Sequence, residues 1–118
     1  MPAAVGFALD AASVLVFAAV GRANHNEPDA VVGALATAWP FLAGAVVGWA
    51  FVWARSHRWP LDVGAGISVT VATVVVGMLL RVLTGQGTAP SFVAVATVAL
   101  AVLLVGWRAV VAWVTPRR

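Results

Sequence analysis

The stretch VVGALATAWPFLAGAVVGWAFVW, residues 31–53, contains no charged residue. A helix needs roughly 17–25 apolar residues to cross a hydrocarbon core of about 30 Å. Three further runs of similar length and composition occupy residues 4–21, 62–83 and 91–113. The sequence therefore predicts an all-α, polytopic membrane protein with four transmembrane helices in a single domain, residues 1–118.

Composition supports a membrane protein over a soluble one. Hydrophobic residues make up 63% of the chain and charged residues 9%, whereas soluble domains have about 45–50% and about 25%. The runs are continuous and lack the alternation of β-barrel strands. Basic residues lie at the ends of the runs and do not share one face, so we expect the lipid bilayer as partner and no nucleic acid.

The distribution of arginine predicts the orientation of the chain. With four spans arranged as two helical hairpins, one side holds most of the arginines, and this predicts an N-in/C-in, multi-pass protein of the cell inner (plasma) membrane. That side holds Arg55, Arg58, Arg108, Arg117 and Arg118, against Arg22 and Arg81 on the other. Five tryptophans are expected at the same interface: Trp49, Trp53, Trp59, Trp107 and Trp113.

Two short sequences resemble each other at the ends of the second and fourth spans. VVGW, residues 46–49, and LVGW, residues 104–107, lie 58 positions apart. Either the chain contains a weak internal duplication, or both sequences reflect the general preference of cytoplasmic helix ends for Trp and Arg.

Small and polar residues repeat at helical spacing and predict inward faces. GAVVG at residues 44–48 is a small-xxx-small pattern, which predicts close helix packing and, for a transporter, the face through which copies of the chain assemble. A homo-oligomer or a membrane-protein partner is expected. An inner polar stripe is predicted at Thr70, Thr73 and Thr97. The small-residue stripe of the second span comprises Gly33, Thr37, Pro40, Gly44 and Gly48, with Trp39, Trp49 and Trp53 opposite.

Asp10 and Arg108 are charged residues inside predicted spans. Both lie roughly 8–9 Å from the same end of their helices, at a rise of about 1.5 Å per residue. A charge within a span costs at least about 2.5–3.5 kcal/mol, which predicts an intramembrane ion pair between them. In the alternative, Arg108 extends to the interface and Asp10 is neutral or hydrated.

A second polar group is predicted at the outer ends of the spans. It comprises Arg22, His25, Arg81, Thr84, Thr88 and Ser91. Two guanidinium groups with hydroxyls could hold an anionic group. Alternatively, the charged residues here form internal ion pairs, and Asn24 or Asn26 and Asp29 begin the second helix as caps.

No catalytic or metal-binding pattern is present in the sequence. There is no Cys, and His25 and His57 fall on opposite sides of the membrane, so we expect no metal, no cofactor and no enzymatic activity. The leading hypothesis is an oligomeric small transporter or channel for a small ion or anionic solute. The alternative is a non-catalytic accessory or assembly subunit of a membrane complex.

The order of motifs along the chain resembles a known family. LVFAAVGRANH, TAWPFLAGAVVGW, GMLLR, GTAPSFVAVA and GWR occur in sequence, as in the small four-helix membrane proteins called domain of unknown function thirty fifty-four. The resemblance implies an integral membrane protein and supplies no substrate, cofactor or catalytic residue. Its motif positions are Asp10, Gly21, Arg22, His25, Trp39, Pro40, Phe41, Gly44, Gly48, Trp49, Gly77, Arg81, Gly87, Thr88, Phe92, Gly106, Trp107 and Arg108.

Overall fold

The computed structural model describes residues 1–23 and 30–116, without the side chains of residues 22 and 23. Within these residues it contains four α-helices, α1 (Ala3–Ala23), α2 (Ala30–Ser56), α3 (Val63–Leu83) and α4 (Pro90–Val114), and no strand. Each helix is long and apolar enough to cross a membrane. The predicted all-α fold with four membrane-spanning helices is therefore confirmed.

Local signals explain where the third and fourth helices begin and end. Asp62 caps α3, because its carboxylate accepts a hydrogen bond from the backbone N–H of Ala65 at 3.3 Å. Gly85 follows α3 with φ of 77°, a left-handed conformation that favours glycine at the end of a helix. Pro90 occupies the first turn of α4, where its missing N–H removes no helical bond.

The helices follow one another around the bundle. α1 contacts α2 and α4, and α3 contacts the same two helices. The most extensive contact joins α2 to α3, across the two halves of the chain, and the least extensive joins α1 to α4. The division into two hairpins and the N-in/C-in orientation therefore stay predictions.

The α2–α3 contact depends on glycine. A Cβ atom at Gly44 would lie 2.7 Å from the backbone oxygen of Thr73, and one at Gly48 would lie 3.1 Å from the Cα of Val69. Both glycines are buried against α3. The predicted close packing is present, but α3 of the same chain occupies this face, so the prediction that GAVVG mediates assembly between chains is wrong.

Apolar side chains fill the centre of the bundle. Phe17 and Phe41 meet edge to face with ring centroids 5.4 Å apart, and Phe92 packs against both at 6.3 Å. The remaining buried members of this core come from α1, α2 and α4: Val14, Ala18, Ala38, Ala96, Leu100 and Leu104.

One predicted orientation is wrong. Thr97 is exposed, and its hydroxyl donates to the carbonyl of Val93 in its own helix. The inward row of α4 follows an i+4 ridge through Ala96, Leu100, Leu104 and Arg108, and Thr97 is turned by about 100° from Ala96. Trp49, predicted opposite the small-residue stripe of α2, is turned away from α3 and is nevertheless only 5% exposed, because α2 has a second buried face, against α1.

Candidate functional site

The structure brings Asp10 of α1 and Arg108 of α4 together. Nη1 of Arg108 lies 2.7 Å from Oδ1 of Asp10, and Nη2 lies 2.8 Å from Oδ2. The two side chains are 0% and 1% exposed. This is a fork-to-fork ion pair with two parallel hydrogen bonds, and Arg108 does not extend to the surface.

Two tryptophans complete the hydrogen bonding of the carboxylate. Nε1 of Trp49 donates to Oδ2 of Asp10 at 2.7 Å, and Nε1 of Trp107 donates to Oδ1 at 2.8 Å. Each carboxylate oxygen therefore accepts two hydrogen bonds, one from an indole and one from the guanidinium. A carboxylate has about four acceptor positions, so none is left for a further donor.

The guanidinium is equally saturated. Its Nε and Nη2 donate to the carbonyl oxygen of Pro60 at 3.0 and 2.7 Å, and Nη1 also donates to the carbonyl of Leu104 at 2.8 Å. With the two bonds to Asp10, all five N–H groups of Arg108 have acceptors. The Cζ of Arg108 also lies 4.3 Å from the ring centre of Trp107, which adds a cation–π contact.

Three helices supply the side chains of this cluster, which we call the Asp–Arg–Trp cluster (Asp10, Trp49, Trp107, Arg108), and α3 and one loop pack against it. Pro60, in the α2–α3 loop, is fully buried and supplies its carbonyl to the guanidinium. Gly66 of α3 leaves room for the stem of Arg108, since a Cβ there would lie 2.5 Å from its Cδ. The cluster thus fixes α1, α2 and α4 to each other, and the bonds from Arg108 to Pro60 hold the loop that leads into α3.

The predicted inner polar stripe is present in α3 only. Thr70 and Thr73 are buried, and their hydroxyls donate to the carbonyls of Gly66 at 2.8 Å and Val69 at 2.7 Å. Bonds within the same helix satisfy both groups without water. In the described part of the chain, no buried side-chain nitrogen or oxygen lacks a hydrogen-bond partner.

The predicted outer cluster is only partly described. Arg81 holds the α3–α4 turn, because its Nε donates to the carbonyl of Gly87 at 2.8 Å and its Nη1 to Oε1 of Gln86 at 3.0 Å. Its guanidinium also lies 4.2 Å above the ring centre of Phe92. These contacts give Arg81 a structural role in the turn.

The other predicted members of the outer cluster are less closely tied to Arg81. The hydroxyl of Thr84 donates to the carbonyl of Leu80 at 2.7 Å. Thr88 is half-buried and Ser91 is exposed at the start of α4. The side chain of Arg22 and the whole of His25 lie outside the described residues, so the anion site stays a prediction.

Sequence reasoning missed the two indole donors and the carbonyl of Pro60. The repeat VVGW and LVGW carried the signal for the tryptophans, since its two final residues, Trp49 and Trp107, donate to the same carboxylate. Nothing in the sequence pointed to Pro60. Among the residues searched, no group of three or more His, Cys, Asp or Glu side chains could hold a metal ion.

Comparison with protein-family models gives one match. The model described as "Protein of unknown function (DUF3054)" matches residues 7–111, and this range includes all four members of the Asp–Arg–Trp cluster. No curated protein and no solved structure matches the chain.

Proposed function

Because the chain belongs to the DUF3054 family, which is described as being of unknown function, we infer its role from its geometry and propose a non-catalytic accessory or assembly subunit of a membrane complex. It is an integral membrane protein with four spanning helices. In this proposal its charged residues hold the helices together, and its lipid-facing surface contacts a larger membrane protein.

The observation that carries the proposal is the saturation of the Asp–Arg–Trp cluster. A residue that binds and releases an ion or solute needs acceptor or donor positions that the ligand can use. Asp10 accepts four hydrogen bonds and Arg108 donates five, all from or to groups of this chain. A ligand would have to break several of these bonds in a buried site, so a structural role is favoured.

Packing between the two polar ends supports the same proposal. The aromatic rings of Phe17, Phe41 and Phe92 lie between Arg81 and the Asp–Arg–Trp cluster, together with buried Leu100. Thr70 and Thr73 offer hydroxyls already bonded within their helix. A transporter or channel would therefore need a path between several copies of the chain, and α3 occupies the GAVVG face expected to bring copies together.

The proposed setting follows from the charge distribution. The positive-inside preference favours an orientation with Arg55 and Arg58 in a cytoplasmic loop. The spanning helices carry several valines that are each more than half exposed: Val16, Val31, Val71, Val95, Val98 and Val102. This surface is available to lipid or to a partner.

Flux measurements test the proposal against the transporter hypothesis. We expect proteoliposomes of the full chain to show no flux above protein-free liposomes for K⁺, Na⁺, Cl⁻, phosphate or protons. A flux that wild type supports and that Arg81→Ala abolishes, with both proteins folded to the same extent, would overturn the accessory role.

A crosslinking experiment tests the partner directly. A photoreactive amino acid at exposed Val71 or Val102 should crosslink the chain in intact membranes to one defined membrane protein, and native gels should show both proteins in the same complex. Crosslinks only between copies of this chain, or only to lipid, at both positions would contradict an accessory subunit.

A further inference from the structure

An apolar groove opens on the surface between α1 and α2, at the end of the bundle that holds the Asp–Arg–Trp cluster. Its volume is about 520 Å³. We call it the Trp groove, and its lining includes Phe7, Val46, Trp49, Ala50, Trp53 and Trp59. Its lining consists of alanine and valine side chains and aromatic rings, so the groove suits an apolar group.

Aromatic contacts hold the walls of the groove in place. Trp53 and Trp59 stack with centroids 4.5 Å apart and an interplanar angle of 22°, and the ring of His57 packs edge-on against Trp53 at 5.7 Å. Phe7 packs edge-on against Trp49, with centroids 5.3 Å apart. Because Trp49 also donates a hydrogen bond to Asp10, the lining of the groove is tied to the buried ion pair.

The direction of the groove matches that of a lipid chain. Val46 and Trp53 lie seven residues apart in α2, which corresponds to about 10 Å along the helix axis. The groove follows α2 from Val46 to Trp53, and the end that we call its mouth is formed by Trp59, in the loop that also carries His57 and Arg58. An occupant must be long, flexible and apolar, with a polar head at the membrane surface.

The charged residues beside the mouth of the groove favour one type of lipid headgroup. Arg58 directly precedes the groove residue Trp59, and it is exposed. The exposed acid at this end, Asp62, is engaged as the cap of α3, and Asp10 is paired with Arg108. Among the described residues at this end, two exposed arginines, Arg55 and Arg58, therefore stand against one exposed carboxylate, Asp62, and a guanidinium is well suited to bind a phosphate group.

We propose that the Trp groove binds one acyl chain of an anionic phospholipid, with the phosphate of its headgroup at Arg58. The inference goes beyond the accessory role and does not depend on it. A basic side chain near a membrane surface favours anionic lipid by about fivefold. The predicted cytoplasmic position of this loop matches the leaflet where anionic lipids concentrate.

Native mass spectrometry of the full chain, released from detergent micelles, tests the proposal with phosphatidylglycerol and phosphatidylcholine of identical acyl chains. Wild type should retain phosphatidylglycerol about fivefold more at equal concentration. Ala50→Phe, which fills the groove, should remove most of the retained lipid. Ala109→Phe is the matched control, since Ala109 is exposed at a similar depth outside the groove, and it should retain lipid as wild type does.

A second pair of variants tests the contact with the lipid headgroup separately from the contact with the acyl chain. Arg58→Gln should bring the ratio of the two retained lipids close to one. Arg55→Gln should change it less than twofold, because Arg55 lies over Phe51, 5.7 Å from its ring centre, and Phe51 belongs to the α2–α3 side.

Three outcomes would overturn the proposal. Equal retention of the two lipids by wild type would remove the charge selectivity. Unchanged retention in Ala50→Phe would place the lipid elsewhere. Loss of a dimer in Ala50→Phe, with lipid retention intact, would identify the groove as an interface between copies of the chain.

Discussion

Replacing Asp10 by Asn should destabilise the protein strongly although the two side chains have nearly the same shape. The substitution removes the negative charge that balances Arg108 in a fully buried site. It also replaces one acceptor oxygen by an NH₂ group. On either side of the carboxylate, that group would face two donors, one indole N–H and one guanidinium N–H.

The magnitude follows from the burial of the pair. Removing one partner of a buried ion pair costs about 3–5 kcal/mol, because the remaining charge has no counterion. At about 1.4 kcal/mol for each tenfold change, the folding equilibrium constant should fall by roughly two to three and a half powers of ten. Rotation of the Asn amide cannot reduce this cost, since both oxygens of Asp10 have the same set of donors.

Unfolding in mixed detergent micelles of increasing dodecyl sulfate content measures the effect. Tryptophan fluorescence reports the transition, because Trp49 and Trp107 lie in the cluster itself. Asp62→Asn is the matched control: Asp62 is exposed, and Asn caps helices about as well as Asp, so a change below about 0.5 kcal/mol is expected. If Asp10→Asn costs no more than Asp62→Asn, the reasoning from the buried pair is refuted.

Two further predictions concern packing and hydrogen-bond polarity. Gly44→Ala places a Cβ 2.7 Å from the backbone oxygen of Thr73 and should lower the free energy of unfolding in the same assay by about 1–3 kcal/mol. Gly106→Ala is the control, because a Cβ there meets nothing within 4 Å, and it should be close to neutral. Equal effects of the two substitutions would contradict the close approach of α2 and α3. The double variant Asp10→Arg with Arg108→Asp exchanges the charges and keeps an ion pair, but it sets a guanidinium against two indole donors and a carboxylate against two carbonyl acceptors. It should therefore restore none of the roughly 3–5 kcal/mol lost on breaking the pair. Recovery of wild-type stability would show that charge alone matters.

The spans could be predicted from sequence because each depends on one local property, a long apolar run that must satisfy its own backbone in lipid. The meeting of Asp10 and Arg108 could be inferred from depth, since two charges at the same level of a bilayer have few other partners. Both arguments use the membrane as a fixed frame and do not require the helices to be placed side by side.

The sequence does not reveal which helix packs against which face of its neighbours. In α2, Gly44 and Gly48 face α3 while Trp49, turned by about 100° from Gly48, faces α1. A search for one inward stripe assigns such a helix only one of its two packed faces. The position of Thr97 was mistaken for a related reason, because the tilt that sets the contact row of α4 is a property of its neighbours.

The Asp–Arg–Trp cluster is structurally important because it joins α1 to α4, the first and last helices of the bundle. Lipid tails are as apolar as the helix surfaces, so burial of apolar area does not decide which helix lies beside which in a membrane. Close glycine packing fixes α2 against α3, but α1 and α4 share the least extensive contact in the bundle. The ion pair joins these two helices, and the two indole donors come from α2 and α4. Polar bonds thus specify the neighbour where packing specifies it least, as expected of buried charges that are kept for specificity.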